Sequence, residues 1–143
     1  MSRMMPNVAR APASTVAVAA AMLLIGCSRT APDLAPLSGT VVLDGRPLER
    51  GLVQFVPESG TGPAAVGSIA GGRFVAETAG QRGAMPGRYR VRIEARALPV
   101  DETDTLPKSL IPARYGLPST SGIGYVVVAS QDNVVEIALQ GAR

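Results

Sequence analysis

The sequence predicts an all-β fold, an antiparallel β-sandwich of about seven strands. Three observations carry this. Beyond residue 36, apolar and polar residues alternate with period two over several stretches. Turn residues break that alternation roughly every 8–12 positions. No stretch in the same region repeats its apolar residues at the helical period. Composition agrees: 16 Gly and 12 Pro in 143 residues favour many turns. Hydrophobic residues make up 46% but aromatics only 3%. The core must therefore be built mainly from Val, Leu, Ile and Ala.

The elements follow in order. Residues 40–43 read as a first strand with Val41 and Leu43 on one face. Asp44-Gly45 is a turn signal, because glycine accepts the positive φ that tight hairpins need. Residues 52–56 form a second strand, Val53 and Phe55 inward and Gln54 outward. Residues 57–63 are a loop. Residues 64–69 and 73–78 flank Ala70-Gly71-Gly72 as a hairpin. Residues 88–97 are the clearest strand. Tyr89, Val91, Ile93 and Ala95 alternate there with Arg88, Arg90, Arg92 and Glu94, as in a sheet with one wet face. Residues 98–120 carry four prolines and read as a loop. Residues 124–129 read as a strand buried on both faces. Gln131-Asp132-Asn133 is a turn. Residues 134–139 close the domain with Val135, Ile137 and Leu139 inward.

Composition also narrows function. There is no histidine, which removes the commonest metal ligand and the commonest general base near neutral pH. There is one cysteine, so no internal disulfide, zinc cluster or redox pair can form. Ser, Asp and Glu are present, but nothing supplies the proton-shuttling base of a hydrolase. The expectation is no enzyme, no cofactor and no metal. The chain's 14 basic residues, less Arg3 and Arg10, leave 12 against 11 acids. That balance, without a basic run or interleaved aromatics, predicts no nucleic-acid partner.

The N-terminus has a separate logic. Residues 1–10 carry two arginines and no acid. Residues 13–25 are almost wholly apolar, and Gly26 and Cys27 follow directly. These are the parts of a secretory signal. A helix of about 13 residues reaches about 20 Å, short of a hydrocarbon core of about 30 Å, so a permanent transmembrane helix is disfavoured. Leu24-Ile25-Gly26-Cys27 resembles the bacterial lipobox at all four positions. The resemblance implies a diacylglycerol thioether on Cys27, cleavage before it and acylation of the new amine. Ser28, in place of Asp, resembles the pattern that releases lipoproteins to the outer membrane. Residues 28–36 are polar and punctuated by proline, a tether that spans about 30 Å when extended.

Several stretches of the domain resemble one family. Ser38-Gly39-Thr40-Val41-Val42-Leu43-Asp44-Gly45-Arg46-Pro47-Leu48 is similar to the opening strand and turn of carboxypeptidase regulatory-like domains. Val53-Gln54-Phe55-Val56-Pro57, Gly71-Gly72-Arg73-Phe74 and Pro86-Gly87-Arg88-Tyr89-Arg90-Val91 follow in the family's order. Ile111-Pro112-Ala113-Arg114-Tyr115 with Thr120-Ser121-Gly122 resembles a feature of small bacterial lipoproteins carrying this domain. The resemblance implies a transthyretin-like, or prealbumin-like, sandwich over residues 37–141. It implies no catalysis, since the domain accompanies carboxypeptidases without being their catalyst, and fold does not imply activity. The transthyretin-like purine-catabolic hydrolases rely on histidines that this chain lacks.

Three further groups invite a functional reading. Arg88, Arg90 and Arg92 offer a polyanion contact, or else a solvated face neutralised by cross-strand acids such as Glu77 or Glu136. Asp101, Glu102 and Asp104 offer oxygen ligands of the kind calcium takes, without EF-hand spacing, or else a soluble loop tip. Tyr115 and Tyr125 offer binding aromatics, or half-buried rings with wet hydroxyls. The expected organisation is a signal segment with its lipobox helix at 1–26, lipidated Cys27 and tether at 27–36, and the β domain at 37–141. The expected partners are the membrane, through the lipid, and an envelope protein or polysaccharide. The expected role is a non-catalytic structural or protein-interaction module, with carbohydrate or polyanion binding as the alternative.

Overall fold

The computed structural model describes residues 32–103 and 105–142. The lipobox, Cys27 and Asp104 lie outside the described residues. The strands are β1 (Leu37–Leu43), β2 (Arg46–Pro47), β3 (Arg50–Pro57), β4 (Ala65–Ala70), β5 (Arg73–Val75), β6 (Glu77–Thr78), β7 (Gln81–Arg82), β8 (Gly87–Glu94), β9 (Gly124–Val127) and β10 (Asn133–Leu139). Among the described residues there is no α-helix, and a 3-10 turn at Ala113–Gly116 interrupts the long loop.

The expected all-β fold is present, and its ladders are antiparallel with one exception. Its strands join in one curled sheet, a half-barrel, in the order β10-β1-β5-β4-β3-β8-β9. One ladder departs from the antiparallel rule: β1 and β10 run parallel, from Leu37 beside Asn133 to Leu43 beside Leu139. The sequence separation explains why this is allowed. Parallel neighbours need a long crossover, and nearly the whole domain lies between these two.

Hairpins form where glycine permits them. Asp44 and Gly45 both adopt positive φ, 50° and 79°, and join β1 to β2 through a two-residue turn. Gly71 and Gly72 do the same between Ala70 and Arg73. The predicted strand at 73–78 is broken at Ala76. β5 then pairs with β1, while β6 turns through Ala79-Gly80 to meet β7. That last hairpin was not legible in the sequence, because its strands are two residues each and polar at all four positions.

Alternation places the core. Val53, Phe55, Val91 and Ile93 are fully buried between the curled halves of the sheet, with Leu37, Val41, Ile137 and Leu139 completing the layer. Burying each such side chain contributes roughly 1.5–3 kcal/mol. Phe55 is the hub: its ring lies 5.8 Å from Phe74, 6.4 Å from Tyr89 and 6.5 Å from Tyr125. Phe74 fits because Gly39 and Gly67, inward on the two strands beside it, carry no Cβ. A Cβ at either would meet the Phe74 ring at 3.0 Å.

Two expectations need correction. Residues 124–129 do not form a strand buried on both faces: β9 is an edge strand, with Val126 and Val128 exposed. An uninterrupted apolar run looks alike in a central strand and at an edge, and the number of neighbours decides. Ala35 and Pro36, expected at the end of the tether, are held by the sheet. Ala35 is buried and pairs with Ala84 through two backbone hydrogen bonds of 2.9 Å. Pro36 accepts a hydrogen bond from the Asn133 backbone. The chain is thus held from Ala35 onward.

Candidate functional site

The register of β3 and β8 sets out the arginine face. Gln54 lies opposite Arg92 and Val56 opposite Arg90, while Arg88 faces Val126 on the other side. All three arginines project from the outer face, as alternation requires. Two are engaged. Arg90 Nε lies 3.7 Å from Glu58 Oε1, and Arg92 Nη1 lies 3.2 Å from Glu94 Oε1. Arg92 also donates Nε–H to Gln54 Oε1 and reaches the Gly116 carbonyl. The acids that neutralise this face are Glu58 and Glu94. The sequence suggested Glu77 or Glu136, but those stand on β6 and β10, away from β8 in the sheet order. Arg88 is exposed and has no ion pair among the described residues.

A cleft of about 620 Å³ opens beside Arg88. The loop after β3, with Pro57, Glu58 and Pro63, forms one wall, and Met85 and Pro86 form the other. Tyr89 closes the bottom and donates its hydroxyl proton to the Met85 carbonyl at 2.7 Å. Burial pushes the Tyr89 phenol above its ordinary value of 10.0, against the lowering effect of that hydrogen bond. The phenol is therefore neutral near neutral pH, with its proton engaged on the Met85 carbonyl.

Tyr115 is the more polar aromatic. The 3-10 turn presents it, and the ring is buried, so the expectation of a half-buried ring with a wet hydroxyl is corrected. Its hydroxyl accepts hydrogen bonds from the Gln140 backbone N–H at 3.0 Å and from Arg114 Nη2 at 2.8 Å. The Arg114 guanidinium also lies 4.7 Å above the Tyr115 ring centroid. Burial acts to raise the pKa of this phenol. The Gln140 and Arg114 donors and the Arg114 charge outweigh it, and the net shift is below 10.0. Tyr125 is half-buried and packs edge-on to Phe55 against the core.

The acidic loop serves its own geometry. Asp101 Oδ1 accepts from the Thr103 backbone N–H at 2.9 Å and from its hydroxyl. Glu102 is exposed. Among the described residues no group of three or more His, Cys, Asp or Glu is placed to hold a metal ion.

Sequence reasoning missed Asn133, which it assigned to a turn. Asn133 starts β10 and is 2% exposed. Its Oδ1 accepts from Val128 N–H at 2.9 Å. Its Nδ2 donates to the carbonyls of Val128, Gln131 and Pro36 at 3.0, 3.0 and 3.2 Å. The signal was present: Asn133 shares parity with Val135, Ile137 and Leu139, so it stands at an inward position. An amide there must be satisfied by local backbone. A scan against protein-family models, a search of curated proteins and a search of solved structures each found no match.

Proposed function

We propose that this chain is exported, lipidated at Cys27 and held at the cell envelope. There its β domain is a non-catalytic structural or protein-interaction module. The observation that carries the reading is Leu24-Ile25-Gly26-Cys27, set directly after a short apolar stretch that follows two arginines. One acyl chain gives marginal membrane binding and two or more give stable anchoring, at about 0.8 kcal/mol per buried methylene. The domain geometry is compatible with this role. Among the described residues Ala35 is the first held by backbone pairing, and the eight residues from Cys27 to Leu34 would reach about 28 Å if fully extended. The absence of histidine from the whole sequence supports a non-catalytic role. The finer assignment, a prealbumin-like, carboxypeptidase regulatory-like domain, rests on the motif order from Ser38 to Gly122. Ser28 after the cysteine supports the outer membrane as the destination.

Mass spectrometry of the mature N-terminus tests this. The expected result is a chain starting at Cys27 that carries a diacylglyceryl thioether and an amide-linked acyl group. Cys27→Ala should stay unprocessed and lack those lipids. An unmodified N-terminus elsewhere would overturn the anchor.

A further inference from the structure

Besides Arg88, three arginines with no acid partner among the described residues stand together away from the Glu58 and Glu94 pairs. Arg50 on β3 and Arg73 on β5 both pair with Ala70 on β4. Residues paired across antiparallel strands share a face, so both guanidinium groups leave the outer surface about 10 Å apart, two strand spacings. A third arginine extends the row. An ideal Cβ on Gly51 would lie 3.3 Å from Ala95 Cβ, which sets Arg96 beside Arg50 on the same outer face. The row therefore runs Arg96, Arg50, Ala70, Arg73, and all four residues are exposed. Among the described residues, no ion pair or side-chain hydrogen bond engages any of the three arginines. Glu94 lies nearby but is paired with Arg92, Glu49 precedes Arg50 in the chain, and Glu136 stands two strands beyond Arg73.

The surroundings of the row suit a sugar polymer. Arg73 borders a shallow trough of about 570 Å³ along the outer face. Ser38, Thr40 and Ser68 supply hydroxyls there, and Val75 and Val134 supply apolar walls. Ala70 leaves the middle of the row open, where a longer side chain would fill it.

We propose that this row and trough form a binding site for an anionic polysaccharide, with Arg50, Arg73 and Arg96 contacting successive acidic groups and the hydroxyls contacting the sugar. The charge complementarity is local, since the chain as a whole is nearly neutral once residues 1–26 are set aside. The site does not depend on the anchor, so the test uses the full chain carrying Cys27→Ser.

The probe is polygalacturonate, with neutral dextran of similar length as its control. Polygalacturonate should bind and dextran should not. Changing Arg50, Arg73 and Arg96 together to Ser should weaken binding at least tenfold. Changing Arg88, Arg90 and Arg92 together to Ser removes the same charge and should weaken it less than threefold. Ala70→Glu, which sets a carboxylate in the middle of the row, should also cost tenfold, and it decides the matter if the first triple variant does not fold. Equal loss from both triple variants, unchanged binding by Ala70→Glu, or equal binding of dextran would overturn the proposal. The N-terminal mass of the unaltered chain reads the anchor separately, so failure of one reading is not failure of the other.

Discussion

The sheet is left unpaired between β9 and β10, and the two ends of that seam are bridged by different means. At one end Asn133, buried and two to five residues from most of its partners, ties the β9–β10 turn together and reaches Pro36. At the other end the hydroxyl of Tyr115, from the long loop, receives the backbone N–H of Gln140, just past β10. Arg114 reinforces the contact by bonding both the Tyr115 hydroxyl and the Gln140 carbonyl. The first bridge is mostly local and rests on a side chain that is 2% exposed. The second is assembled from segments 25 residues apart, and its Arg114 and Gln140 arms are exposed. A buried polar group left without a partner costs its full desolvation, whereas an exposed one is rehydrated. The two bridges should therefore differ in worth although each uses several hydrogen bonds.

The largest effect should come from Asn133→Ala. It leaves two groups of Val128 and the carbonyls of Gln131 and Pro36 without their side-chain partner. We expect a loss of about 3 kcal/mol of stability in denaturant unfolding. Hydrogen exchange should rise first at Val128. Tyr115→Phe should cost about 1 kcal/mol, because water can replace the hydroxyl at Gln140 more readily. If Tyr115→Phe cost as much as Asn133→Ala, the contrast between a buried bridge and one with exposed arms would be wrong.

The smallest effect separates the two tyrosines by sign. Tyr89 has its phenol raised above 10.0, so the folded state holds that proton longer than the unfolded chain does. Its contribution is complete below pH 10 and is lost as pH rises through the folded value. Tyr115 is lowered, so its folded form releases the proton earlier. Its contribution grows as pH rises through the folded value and is complete above pH 10. Denaturant midpoints measured from pH 8 to 11 should thus fall less steeply in Tyr89→Phe and more steeply in Tyr115→Phe than in the unaltered chain. Identical slopes in all three would remove the distinction.

Much of this architecture was legible beforehand, and what was missed has a common cause. The inward residues of β3, β8 and β10 follow from alternation, because a strand facing one core repeats with period two. The Asp44-Gly45 and Gly71-Gly72 turns follow from the need for positive φ. The exposed side of β9 was not legible, since an apolar run does not state how many neighbours it has. The arginines on β8 were visible as a stripe, but Glu58 as a partner depends on how the loop after β3 folds. The row made by Arg50, Arg73 and Arg96 is spread over three stretches of sequence and becomes a row only through register.

The sequence by itself determined the β character of residues 37–139, which side chains face inward on the main strands, the places of two tight turns, and the Leu24-Ile25-Gly26-Cys27 motif on which the proposed anchor rests. These are local properties, set by backbone sterics and by the period of a strand. The tertiary structure alone decided the parallel pairing of β1 with β10, the edge position of β9, the burial of Tyr115, and which arginines are left without an acid. Each of these depends on which strand lies beside which. Pairing between distant strands is chosen by the packing of the whole core, and no short stretch of chain records it.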